Sequence, residues 1–240
     1  MSVWKDLPFD SPAPCRTCPI LEDSLCLPLP AEQRHGLRRL ARGRLVPQGQ
    51  LIFGEGDEAV WFASILAGVV KLFRAVPGEP EQIVTFMYPP QFLGYTSGGA
   101  HRYSAAATTD VELCIYFRSD FHSMLEESDV FRRRILEKTA QELELAREWV
   151  VMLGGKSSYQ RVAGFFSIFA QRNKSNYGTK VQFTLPVSRS ELAAYLSMEL
   201  ETVSRNITIL KRKNLIELKS TREVVVPNIE RLLAEADMLN

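Results

Sequence analysis

Between Phe131 and Leu153 the chain reads FRRRILEKTAQELELAREWVVML, with neither glycine nor proline, and this run separates two segments of different periodicity. So long an unpunctuated stretch of good helix formers predicts one long helix. Upstream, between Arg44 and Phe117, short apolar runs such as QLIFGEGD, QIVTFMYPPQFLG and VELCIYF are separated by glycine and proline. That pattern predicts a small antiparallel β-sandwich or barrel. Downstream, Gly154-Gly155 stops the long helix and Ser157-Ser158 offers a new N-cap, so helical structure resumes from Tyr159 to about Gln171, followed by a polar loop, RNKSNYGTK. The expected organisation is an arm over 1–30, a β-domain over 31–128, a helix over 129–154 and a C-terminal domain over 155–240. The fold class is therefore α+β.

Composition narrows the function. The 240 residues carry a net charge of +1, with 45% hydrophobic and 24% charged residues, which is ordinary globular composition with no global basic field. Any nucleic-acid surface must come from local clustering. Met1 to Asp10 (MSVWKDLPFD) lacks a basic segment leading into an apolar core, and no stretch of about 18 apolar residues occurs, so the expectation is a cytoplasmic protein without a membrane partner. The three histidines, His35, His101 and His122, are scattered, with no nucleophile beside them and no metal-ligand spacing, so no enzyme is expected.

The needed cluster lies near the C-terminus. In VSRSELAAYLSMELETVSRNITILKRKNL, Ser188 caps a short helix to Leu196, Ser197-Met198-Glu199 makes a turn, and a second helix runs from about Leu200 to Lys213. Such a pair is a helix-turn-helix, whose second helix lies in the DNA major groove. Ala193 and Ala194 allow close approach, and Leu192, Leu196, Val203, Ile207 and Leu210 supply its core. Serine stands at position 197, where a turn glycine is usual. Glu201, Ser204 and Arg205 are spaced for reading bases: Arg forms a bidentate contact to guanine, Glu accepts from cytosine, and Ser meets a phosphate or base edge. From Arg205 to Arg222 the basic residues Arg205, Lys211, Arg212, Lys213, Lys219 and Arg222 face the single acid Glu217, a patch suited to phosphates, with Lys211 and Arg212 the chosen contacts. The following STREVVVP reads as a strand of a wing.

Four cysteines in a chain expected to be cytoplasmic argue against a disulfide framework. Cys15, Cys18 and Cys26 give C-x2-C-x7-C, among Pro14, Pro19, Pro28 and Pro30, which disfavour regular structure. Cys114 stands alone in an expected strand between Leu113 and Ile115. Four thiolates complete tetrahedral sulfur coordination for zinc or hold an iron-sulfur cluster, and spacing does not decide between them. Cys114 by itself reads equally as a buried apolar residue.

With E-x-x-S-R at Glu201 to Arg205 in this frame, the sequence resembles the FNR/CRP family of transcription regulators over nearly its whole length from Cys15. GQLIFGEGD and ILAGVVKL resemble its sensory β-roll, and Asp129 to Leu153 its dimer helix. The resemblance implies an N-terminal β-roll sensory domain, a dimerisation helix and a winged helix-turn-helix. It also implies a homodimer on promoter DNA at a TTGAT-N4-ATCAA-like palindrome, with RNA polymerase as partner through a loop resembling Val76-Pro77-Gly78-Glu79. The cysteine pattern resembles that of oxygen-sensing members, which implies a 4Fe-4S cluster on Cys15, Cys18, Cys26 and Cys114. Zinc or no cofactor, with control by thiol oxidation or abundance, and a ligand-binding module that does not act on DNA remain the alternatives. No cyclic nucleotide is expected, because Tyr95 replaces the family's cassette glutamate and Arg102 is followed by Tyr103. Counting from Ile135 at alternating four- and three-residue steps gives a dimer seam of Ile135, Thr139, Glu142, Ala146, Trp149 and Leu153, with Glu142 near its symmetry mate.

Overall fold

The computed structural model describes residues 11–12, 15, 17–75, 78, 81–94, 99–174 and 178–237. They belong to two compact units, Met1–Leu143 and Glu144–Asn240, so the division falls inside the long helix rather than at its end near Ser158.

In the first unit the order is β1 (Ser11–Pro12), a 3-10 turn at Leu21–Asp23, α1 (Ala31–Leu40), β2 (Arg42–Val46), β3 (Leu51–Phe53), β4 (Trp61–Ala67) and β5 (Val70–Arg74). There follow β6 (Gln82–Met87), β7 (Phe92–Leu93), β8 (Ser104–Ala107), β9 (Val111–Phe117), α2 (Arg118–Glu127) and α3 (Asp129–Gly155). The strands form two antiparallel sheets, β1-β2-β9-β4-β7 and β3-β8-β5-β6. Their facing sides interdigitate through Trp61, Ala63, Ile65, Leu113 and Ile115 from one sheet and Ile52, Val70 and Ala105 from the other. Gly68, at φ +85°, makes the β4–β5 turn; a Cβ there would lie 2.2 Å from the Asp110 carbonyl oxygen, so a side chain is excluded by backbone as well as by conformation.

The outer side of the five-stranded sheet is also buried. Because successive residues of a strand point to opposite faces, Leu113 and Ile115 enter the sandwich while Cys114 and Tyr116 point outward. There they join Phe62 and Leu66 of β4, Leu37 of α1, Phe121 of α2 and Phe131 of α3 in a second apolar cluster. Each β9 residue from Leu113 to Tyr116 is thus covered, which accounts for the unbroken apolar run LCIY.

In the second unit α3 continues from Glu144, followed by α4 (Ser158–Arg172), β10 (Val181–Thr184), α5 (Arg189–Tyr195), α6 (Leu200–Arg212), β11 (Glu217–Leu218), β12 (Glu223–Val226) and α7 (Ile229–Glu235). Capping boxes open α4 (Ser157 with Gln160) and α5 (Ser188 with Glu191), satisfying N–H groups that helix ends leave free. Ser197 adopts φ 51° in the turn between α5 and α6, the left-handed geometry that makes glycine usual there. Leu192, Leu196, Val203, Ile207 and Leu210 are all buried, and β10-β12-β11 forms the wing.

The face of α3 differs from the one counted from Ile135. Ile135 packs into the outer apolar cluster, the Phe92 N–H donates to Glu142 Oε1 at 3.4 Å, and Trp149 stacks on Tyr195 with ring centroids 4.1 Å apart. Ile135, Glu142 and Trp149 therefore face their own units. The large apolar residues of α3 left in the open are Val130, Leu136, Leu143, Leu145, Val150 and Val151, and among them Leu136, Leu143 and Val150, 70%, 50% and 70% exposed, stand at seven-residue spacing. The helix carries two apolar stripes about 100° apart, and counting periodicity cannot say which one the chain uses internally. Among the described residues no helix is long and apolar enough to cross a membrane.

Candidate metal centre and nucleic-acid interface

The outer face of β9 meets the N-terminal arm. Cys114 is centrally placed in its sheet, opposite Gly43 of β2 and Ser64 of β4, and is 7% exposed. Cys15, Cys18 and Cys26 are partly buried and pack against the same apolar cluster. The loop carrying them is tied by short turns: the Leu21 N–H donates to the Cys18 carbonyl (3.3 Å), the Leu29 N–H to that of Cys26 (3.2 Å), and the Cys26 N–H to Ser24 Oγ (3.2 Å). All four cysteines thus border one apolar cluster, although Cys114 is far from the others in the chain. Among the described residues no group of three or more His, Cys, Asp or Glu side chains is placed so that it could hold a metal ion.

Tyr116 lies between two of the sulfurs. Cys114 Sγ donates to its hydroxyl at 3.3 Å, and the hydroxyl and Cys26 Sγ are 3.6 Å apart. Burial pushes the Cys26 thiol up, opposed by the Tyr116 hydrogen bond, and burial pushes Cys114 up to about 12. Burial likewise raises Cys15, opposed by the Arg38 guanidinium. Cys15 and Cys18 also raise Cys26 and Cys114 by like-charge repulsion. Clustered, desolvated thiols resist ionisation until a cation compensates their charge. That donor set suits a metal or an iron-sulfur cluster.

Between the two sheets' open end and the first half of α3 lies a cavity of about 470 Å³, lined mainly by apolar side chains together with His101, Arg102 and Glu142. His101 is buried and stacked on Phe53, ring centroids 3.7 Å apart, and burial lowers its pKa. Burial raises the pKa of Glu142, opposed by the Phe92 hydrogen bond. Tyr95, expected at the cassette position, and Val76, Pro77 and Glu79 of the surface loop lie outside the described residues.

On α6, Val203, Ile207 and Leu210 are buried, while Glu201, Arg205, Lys211 and Arg212 are exposed and Ser204 partly so. Helical periodicity puts Glu201, Arg205 and Arg212 on the face opposite that core. The basic patch is smaller than the sequence count. Lys213 pairs with Glu235 at 2.9 Å, and Lys219 with Glu217 at 3.2 Å. Glu235 belongs to α7 and was not counted against the patch because it lies outside the segment. Arg205, Lys211 and Arg212 make no side-chain hydrogen bond or ion pair with a described residue.

Residues 44–128 match the cyclic nucleotide-binding domain family and residues 160–235 the Crp-like helix-turn-helix domain family. The transcriptional activator protein FnrL of Cereibacter sphaeroides is 33% identical over 226 residues, 92% of this chain and 91% of that protein. The chain belongs to the FNR/CRP family of transcription regulators. This regulator is also 34% identical to the nitrogen fixation regulation protein FixK of Bradyrhizobium diazoefficiens, over 85% of this chain and 86% of that one. The solved structure of FixK2 from Bradyrhizobium japonicum matches with a TM-score of 0.73 at 27% identity, covering 81% of this chain and 96% of that one. As a family member with this helix-turn-helix, the regulator binds DNA and is not an enzyme.

Sequence reasoning passed over Tyr116 and Ser24. The first was legible: on a strand, position i+2 from Cys114 shares its face. Ser24 had no comparable signal, since its role depends on the loop's folded turns. In the metal-free, reduced regulator, Cys114 ionises only near pH 12, so at pH 8 its thiolate fraction is on the order of one in ten thousand. Alkylation at pH 8 followed by peptide mass analysis is expected to modify the more exposed Cys18 long before Cys114, and Cys114 to catch up only under denaturant. Equal labelling rates under native conditions would contradict the buried placement.

Proposed function

We propose that this regulator responds to oxygen, holding an iron-sulfur cluster on Cys15, Cys18, Cys26 and Cys114 and binding promoter DNA as a homodimer while that cluster is intact, to control genes of low-oxygen metabolism with RNA polymerase as partner. The observation that carries the reading is the placement of Cys114: the strand directs it out of the sandwich, toward the arm that bears the other three cysteines. When bound, a 4Fe-4S cluster supplies an oxygen-labile cross-link among four thiolates.

This chain's own residues offer a route from that site to α3. Phe131 and Ile135 belong to the same apolar cluster as Cys114. Arg134 Nε donates to the Ser24 carbonyl at 3.4 Å, and Lys138 stands 4.0 Å from Asp23, both acceptors lying in the loop between Cys18 and Cys26. Ser128 Oγ donates to Gln33 Oε1 at 2.7 Å, joining the start of α3 to α1. Tension or release in the cysteine loop therefore reaches the helix whose exposed stripe, Leu136, Leu143 and Val150, has heptad spacing. In this reading that stripe is the dimer seam, and Glu142, turned toward Phe92, does not oppose its mate. No cyclic nucleotide is proposed for the cavity, where the Glu142 carboxylate would repel a phosphate.

The decisive experiment is anaerobic purification with iron, sulfide and zinc analysis. Iron and sulfide near four each per chain are expected, with visible absorption that bleaches in air and is lost on replacing any of the four cysteines by serine. Stoichiometric zinc without sulfide would overturn the reading.

For the reader helix, a TTGAT-N4-ATCAA palindrome is the proposed target. Arg205→Ala is expected to cost about 1–3 kcal/mol and to relax discrimination at the half-site guanine. Lys211→Ala should weaken all sequences alike and flatten the salt dependence by about one unit, whereas Lys213→Ala, whose ammonium is held by Glu235, should change that slope less. Gel-shift titrations on specific and random duplexes at several salt concentrations measure all three.

For the seam, burying a leucine contributes roughly 1.5–3 kcal/mol, and each dimer holds two copies of Leu143. Leu143→Glu is expected to weaken association by at least about a hundredfold in analytical ultracentrifugation, while Glu142→Ala leaves it nearly unchanged. The opposite ranking would restore the register counted from Ile135.

A further inference from the structure

We infer that Tyr116 is a positioning residue for the sulfur site, its hydroxyl donating to a ligating cysteine thiolate and thereby holding the bound cluster in its longer-lived state. The inference rests on the cluster reading above and concerns what this chain adds to it. Tyr116 is 4% exposed, and a hydroxyl so buried is costly without a hydrogen-bond partner. Among the described residues, both hydrogen-bond contacts of its hydroxyl are to sulfur, Cys114 at 3.3 Å and Cys26 at 3.6 Å. One contact joins it to a strand cysteine and the other to an arm cysteine, so the hydroxyl spans the two parts of the site.

With free thiols, the Cys114 S–H donates to the tyrosine oxygen. A ligating cysteine has lost that proton and is only an acceptor, so the phenolic proton is then the one available between the two sulfurs. It can serve one sulfur at a time, Cys26 or Cys114. Hydrogen bonds to ligand sulfur withdraw electron density from it and raise the reduction potential of an iron-sulfur centre, which disfavours oxidation. The ring is fixed independently of the hydroxyl. It stacks on Phe62 with centroids 5.6 Å apart and planes 20° from parallel, and its backbone pairs with that same residue across β4 and β9. Tyr116→Phe accordingly removes one oxygen and leaves the packing.

The test compares wild type, Tyr116→Phe and Phe62→Leu after identical anaerobic reconstitution, with metal-free thermal melting as the folding control. Wild type should show iron–sulfur stretching bands in resonance Raman that shift in deuterium oxide. Tyr116→Phe should lose that shift, have a lower midpoint potential and bleach in air about tenfold faster. Phe62→Leu, which disturbs the ring's packing but keeps the hydroxyl, should retain the deuterium shift whatever its stability. If Tyr116→Phe matches wild type in bands, potential and bleaching, or if Phe62→Leu reproduces its losses, the inference is overturned while the cluster reading stands. A wild type that takes up no iron and sulfide overturns the cluster reading, and this inference with it.

Discussion

The structure depends on the double burial of one strand. A sheet with a solvated outer face would expose Cys114 and Tyr116; here that face is covered by α1, α2, the start of α3 and the cysteine-bearing arm. β9 is also the strand between β2 and β4, so its backbone is hydrogen-bonded on both edges. A side chain projecting from it is held by the most constrained part of the sheet. That rigidity suits a fixed anchor, against which three residues of a loop can close.

The loop side is built differently. The arm's cysteines are held by single turns and by Ser24, and its neighbours Asp23 and Ser24 reach α3 through Lys138 and Arg134. These are long or partly exposed contacts, each individually weak. In the proposed site, one rigid ligand and three on a lightly held loop would concentrate any rearrangement in the loop. The same apolar cluster contains Phe131 and takes in Ile135 of α3, so in the proposed switch such a rearrangement would be felt where the helix begins.

At the other end of the chain, the reader is specified almost wholly by local chemistry. Ser188 and Glu191 close a capping box, Ser197 takes the left-handed turn position, and Leu192, Leu196, Val203, Ile207 and Leu210 fill the space between two short helices. The electrostatics were less legible. Lys213 looked available in the sequence, but α7 brings Glu235 to it, together with the Tyr159 hydroxyl that donates to the same carboxylate. A charge tally over a segment cannot see an acid delivered by a later helix.

The sequence by itself determined what depends on neighbours within a few residues. It placed the long helix, the glycine- and proline-bounded strands, the capped helix pair and the Arg205 face, because period, caps and turn conformation act over one or two turns. It also carried the family resemblance and the set of four cysteines. Only the tertiary structure decided which of two stripes on α3 is left in the open, that Cys114 faces the arm, and that Tyr116 stands between two sulfurs. The reason is physical: a strand's alternation says that two faces differ, and a helix's period says that stripes exist, but neither says what lies opposite. That is settled by where the second layer packs, a contact between residues distant in the chain whose energy no local pattern records.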